Sequence, residues 1–133
     1  MAGITNYLGN AIADHVFGKA TYTAPTNIYV ALFTVTPSDT GGGTEVTGGS
    51  YARVSTAAAD WNAATSAGLI DNLNAITFTT ATGTWGTVVA VGLFDASSGG
   101  NLLGWKDGLS QSVTSGITAE FAVGELDVNF NAN

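Results

Sequence analysis

The chain has 133 residues, 45% of them hydrophobic and 10% aromatic, which is enough for one core and too apolar for a disordered chain. Only 10% are charged, against a usual share of about a quarter, so the surface must be covered by Thr, Ser, Asn and Gly or hidden against partners. Lys19, Arg53 and Lys106 stand against ten carboxylates for a net charge of −7, a balance that argues against nucleic acid and against an anionic membrane surface.

Residues 4–17 carry the one clear helical pattern. Ile4, Tyr7, Leu8, Ala11, Ile12, His15 and Val16 fall on a single stripe at helical spacing. Gly18 and Lys19 follow as a stop, since Gly accepts the left-handed cap and Lys suits the negative end of the helix dipole. The remainder reads as short strands. Residues 27–36 (NIYVALFTVT) are rich in β-branched and aromatic side chains, apolar on both faces, and so predict a central strand covered on two sides. Pro37 ends it. Residues 40–50 (TGGGTEVTGGS) read as a long mobile loop or arm. Further strands are expected at 50–55, 75–80, 88–95, 102–106, 111–113, 117–123 and 126–130, with a turn at 97–101. Many short strands joined by Gly, Ser and Asn predict a mainly β fold: one domain over 1–133, an antiparallel β-sandwich or jelly-roll-like barrel with one N-terminal α-helix.

The chemistry-bearing residues are few. There is no cysteine, hence no disulfide, thiolate nucleophile or zinc-thiolate site. No apolar run is long enough to cross a membrane, and no basic region precedes an apolar block at the start, as a signal peptide would require. His15 is the only histidine; Asp14 points about 100° away from it on a helix, so His15 is read as packing beside Ile12 and Val16. Gly41-Gly42-Gly43-Thr44-Glu45 lacks the Lys of a phosphate loop. The carboxylates are scattered, with no calcium-loop spacing. No catalytic residue, cofactor or metal site is therefore expected, and the chain does not read as an enzyme. Trp61, Trp85 and Trp105 could serve as a sugar-stacking platform or as packing. Trp85, in the turn-like Gly83-Thr84-Trp85-Gly86, is the one expected to be exposed. Arg53, the only arginine, is expected to pair with a carboxylate, within the subunit or across an interface.

The stretch 29–54, YVALFTVTPSDTGGGTEVTGGSYARV, resembles a family of small virion structural proteins of tailed bacteriophages, some tail-fibre-like and some head-decoration-like. Residues 4–18 (ITNYLGNAIADHVFG) resemble its opening helix, 80–105 (TATGTWGTVVAVGLFDASSGGNLLGW) its central strand pair, and 124–130 (GELDVNF) its closing strand. The resemblance implies a structural protein of the virion. Small size, acidity and the lack of a fibre repeat then lead to a capsid decoration (cement) protein on the outer head, a trimer bridging copies of the major capsid protein. The alternative is a tail or tail-fibre component, as an adaptor or compact receptor-contacting knob; a carbohydrate-binding module is a third reading. The candidate interface comprises Ile4, Tyr7 and Leu8 on the helix; Gly41, Gly42, Gly43 and Glu45 in the arm; and Tyr51, Arg53 and Trp85.

Overall fold

The computed structural model describes residues 3–65 and 67–130. In chain order the elements are β1 (Gly3–Ile4), α1 (Asn6–Val16), β2 (Ile28–Val35), β3 (Thr44–Glu45), β4 (Val54–Thr56), a 3-10 turn (Ala58–Asp60), β5 (Leu69–Asp71), β6 (Ile76–Thr77), β7 (Gly86–Val88), β8 (Ala90–Phe94), β9 (Leu102–Lys106), β10 (Gln111–Val113), β11 (Glu120–Phe121) and β12 (Asp127–Asn129).

β2 is the centre of the main sheet, whose order is β1-β9-β8-β2, with β4 and β3 sharing the far edge of β2. Every pairing is antiparallel. Alternation along β2 sends Val30 and Leu32 to one face and Ala31 and Phe33 to the other. All four are buried, as expected of a strand covered on both sides.

The second half of the chain is one bent antiparallel ribbon. Leu93 pairs with Gly104, Val88 with Gln111, Ile76 with Phe121 and Asp71 with Asp127. Between these strands the ladder is carried on by Leu109 N–H to Val89 O, Trp85 N–H to Val113 O, Phe78 N–H to Ala119 O and Asn72 N–H to Leu126 O. Residues 69–94 thus run against 102–129 throughout. The tip, 95–101, is closed by Asp95, whose carboxylate accepts from the Asn101 N–H (2.7 Å) and side-chain amide (2.9 Å). The strands next to the tip lie in the main sheet; the middle folds over as a second layer. The base returns to β9, where a Cβ on Gly104 would stand 3.0 Å from Gly3 O and 3.4 Å from Val128 Cγ1.

The result is a mainly β, sandwich-like arrangement with no closed barrel. Val30, Leu32 and Val91 from the main sheet meet Ile76, Phe78, Trp85, Val113 and Leu126 from the folded-over ribbon. Each such side chain contributes roughly 1.5–3 kcal/mol by leaving water.

Several boundaries differ from those expected. The helix begins at Asn6, because Thr5 caps it and Ile4 is taken by β1. The strand expected at 88–95 breaks at Val89, where the ribbon leaves the main sheet. Residues 50–53 are not a strand: the chain turns at 48–51 and pairs only from Val54. The strands expected at 75–80 and 117–123 shrink to 76–77 and 120–121, since the bent ribbon keeps strand geometry only in short runs. β5 and the 3-10 turn were not expected.

Residues 40–50 are not a free arm. β3 pairs with β2, Val46 is buried, and Trp85 Nε1 donates to Gly49 O at 2.9 Å. Two glycines explain the composition. Gly43 (φ +76°) lies so close to Val35 O and Pro37 that a Cβ would be 2.6 Å from that oxygen. Gly49 (φ +55°) lies so close to Trp85 that a Cβ would be 2.8 Å from Nε1. Glycine is needed here for close packing and left-handed backbone together.

Candidate interaction surface

Helix α1 separates two clefts. Thr5 anchors it: its hydroxyl donates to Leu102 O (2.6 Å) and accepts from Leu8 N–H (3.4 Å), so the cap is tied to β9. Asn6 N–H donates to Asp39 O, which holds the helix start against the loop after β2. At the far end Gly18 (φ +70°) completes a Schellman cap, with Lys19 N–H donating to Asp14 O (2.7 Å) and Gly18 N–H to His15 O (3.2 Å). The glycine stop read from the sequence is thus present.

Only the first turns of the helix reach the sheet. Leu8 is buried; Val16 and Phe17 are 70% and 78% exposed. His15 is exposed too, its Nδ1 accepting from Tyr22 N–H at 3.1 Å. It does not pack beside Ile12 and Val16, because the helix has by then run past the sheet.

On one side of the helix lies an apolar groove of about 540 Å³. Ile4 of β1 with Leu8 and Ile12 of α1 form one wall; Trp61, Val128 and Phe130 are among the residues opposite. On the other side is a polar cleft of about 430 Å³ between Tyr7, Asp39, Gly41, Gly42 and Asn101. The candidate residues Ile4 and Leu8 therefore fall in the groove, while Tyr7, Gly41 and Gly42 meet at the polar cleft. Leu8 is a correction: it is 5% exposed and belongs to the groove floor, not to an accessible face.

Glu45, Tyr51 and Arg53 also come together, as an internal lock. Arg53 donates through Nε and Nη2 to the two Glu45 carboxylate oxygens, both at 2.8 Å, and through Nη1 to Ala96 O and Gly99 O. Its guanidinium lies 3.6 Å from the centre of the Phe94 ring. The Arg53 side chain is 6% exposed and that of Glu45 25%, so the pairing is within the subunit. The Tyr51 hydroxyl donates to Glu45 Oε1 and accepts from Leu32 N–H, both at 2.9 Å. It fills the gap on the edge of β2 between β4 and β3. Burial raises the Tyr51 phenol well above its ordinary value, with the Glu45 charge adding to the rise. Burial alone would raise the Glu45 carboxyl as well, but hydrogen bonds from Arg53 and Tyr51 and the Arg53 charge outweigh it and hold it below the usual glutamate value.

Trp85 is the other correction. It is 5% exposed, its ring meeting Tyr51 edge-on at 5.3 Å, so it cannot contact a partner. Trp105 is buried with its N–H on Asp39 Oδ1 (2.9 Å), and Trp61 donates to Thr56 Oγ1 (2.9 Å) from the groove wall. The three indoles form no common platform. Among the described residues no three His, Asp or Glu gather as a metal site, and no helix is long and apolar enough to cross a membrane.

Sequence reasoning missed the far wall of the groove and the projecting helix end. The signal for the latter was available: the apolar stripe runs on to Val16 and Phe17 follows it, beyond what one sheet can cover.

With this geometry in place, comparison with known families is decisive. The family described as Podophage GP4 fiber I protein gp80 matches residues 3–129. The chain belongs to that family. No curated protein matches it. Membership of the fiber I family makes the chain a structural protein of the phage virion, in agreement with the resemblance read from residues 4–18, 29–54, 80–105 and 124–130.

Proposed function

We propose that the protein is a component of the tail-fibre apparatus, a compact binding module that acts by contact and not by catalysis. The observation that carries this reading is the match to a fibre protein family over nearly the whole chain. The fold agrees with it. A bent ribbon on a short sheet makes a knob or adaptor, and the chain has none of the repeats of a shaft. The decoration reading rested on small size and acidity, which a fibre knob shares equally, so the family description tips the balance to the tail. Its partners are then neighbouring fibre or tail proteins, met through the clefts on either side of α1. A sparsely charged surface suits such lasting contacts, since few charges need be desolvated.

Cryo-electron microscopy of the particle, with the protein traced in the density, tests the proposal. Density in a few copies at the tail supports it. Density repeated in many copies over the head overturns it in favour of a cement protein.

A further inference from the structure

We propose that the cleft between β2 and the second arm of the ribbon is a docking site for a basic, apolar segment of another virion protein. It shares no lining residue with the clefts beside α1, and the inference stands whether the protein sits on the tail or the head. The cleft measures about 590 Å³. Its walls come from residues 108–125, and it reaches down to Leu32 of β2, Val88 of β7 and Val113 of β10, each no more than 3% exposed. Those three belong to the core between the two layers, so the sandwich is open on this side. Leu109 and Phe121 line the cleft half-buried, and Ile117 is 40% exposed. An apolar side chain entering here extends the core and removes this remaining apolar surface from water.

Charge selects the occupant. Glu120 and Glu125 line the cleft, both exposed, and no Lys, Arg or His does. Their bonds are to neutral groups: Glu120 Oε2 accepts from the Thr77 hydroxyl at 2.7 Å, and Glu125 Oε2 from Ala122 N–H at 2.8 Å. Neither has an ion-pair partner among the described residues. The partner must therefore bring the cations. A second copy does not meet that need. It repeats the net charge of −7, its Arg53 and Lys106 are already paired with Glu45 and Asp127, and Lys19 sits beside Asp14 at the end of α1. A segment whose apolar side chain is flanked by Lys or Arg fits both features. The apolar group fills the cleft, and the cations meet Glu120 and Glu125 at its rim.

The test is two-dimensional NMR of the purified full chain with short peptides, blocked at both ends, as probes. Lys-Leu-Lys-Leu-Lys should shift the amide signals of Leu109, Val113, Ile117 and Phe121, and should bind more weakly as salt rises. Lys-Ser-Lys-Ser-Lys lacks the apolar group and Glu-Leu-Glu-Leu-Glu reverses the charge, so neither should shift them. Glu120→Gln keeps an acceptor for Thr77, and Glu125→Gln keeps one for Ala122 N–H. Each should weaken binding of the lysine–leucine peptide by about fivefold. Asp14→Asn makes the same change in net charge outside the cleft and should leave the affinity unaltered. Should a Gln variant fail to fold, the peptide comparison on the wild-type chain decides, together with Ile117→Ser, which should also weaken binding. Equal binding of the serine peptide, or an equal loss in Asp14→Asn and Glu120→Gln, reduces the effect to general attraction toward an acidic chain and overturns the proposal. So does a lysine–leucine peptide that fails to bind or that shifts signals around α1 instead. Shifts of the same amides on concentrating the protein alone would give the cleft to a second copy and equally overturn it.

Discussion

At the residue scale, the lock of Glu45, Tyr51 and Arg53 ties three stretches far apart in sequence: β3, the edge of β2, and the ribbon tip at Ala96 and Gly99. Its energetics follow from burial. Removing one partner of a buried ion pair strands the other, so Arg53→Ala should cost about 3 kcal/mol, read as a lower denaturant midpoint with little change in slope. Tyr51→Phe keeps the ring against Phe78 and Trp85 but leaves the Leu32 N–H without its acceptor. It should cost about 1–3 kcal/mol. The pH dependence has a definite sign. The folded Glu45 pKa lies below its ordinary 4.5, so the folded state binds this proton less readily than the unfolded chain. Its contribution is complete above that value and is lost as pH falls through the folded pKa. Urea melts of wild type and Glu45→Gln should therefore converge as pH is lowered below 4.5. Curves that stay parallel there would remove Glu45 as the titrating group.

At the scale of elements, legibility followed burial symmetry and local chemistry. β2 could be read because both its faces are apolar, and the end of α1 because Gly18 has no other use. The ribbon could not, since its pairings are set by which segments meet across the core; each strand of two or three residues carries almost no periodicity of its own. The Gly-rich stretch 40–50 misled for a related reason. Glycine signals freedom in a sequence, yet here it permits contact with Val35 O and Trp85. The groove was half legible: its helical wall was on the stripe, while its far wall comes from β12 and the segment after β4. The ribbon also depends on a residue the sequence did not single out. Asn72 is completely buried, its amide donating to Asn74 O and Ala122 O and its carbonyl accepting from Leu126 N–H, all at 2.9 Å. It clips the two strands of the ribbon base together. Asn72→Ala leaves these groups unpaired and should cost about 3 kcal/mol, with hydrogen exchange rising first at Leu126, whose amide loses its side-chain acceptor.

For the whole molecule, the ribbon sets how the chain must fold. Pairing is most local beside the tip, where Phe94 meets Leu102, and most distant at the base, where Leu69 meets Asn129. Closing the tip first costs the least loop entropy, and each later pairing then closes only a small additional loop, as in a zipper. The first and last strands, β1 and β12, lie side by side, since both pack at Gly104. A circular permutant joined there by a short flexible linker and opened between the exposed residues Ser97 and Ser98 can thus keep every native pairing. The cut leaves the core and the lock's acceptors Ala96 and Gly99 in place, so equilibrium stability should change little. The order of closure within the ribbon, however, is inverted: the tip pairing becomes the most distant in sequence, and the base pairing, now the nearest of the ribbon's, is still farther apart than in the native order. Because folding rate falls as contacts become less local, and every pairing of the ribbon now spans a longer stretch of chain, stopped-flow refolding should be slower in the permutant, with an unfolding rate close to wild type. Equal refolding rates would mean that the tip does not nucleate the ribbon, and that the sandwich forms by collapse of β2 against segments whose pairing is settled afterwards.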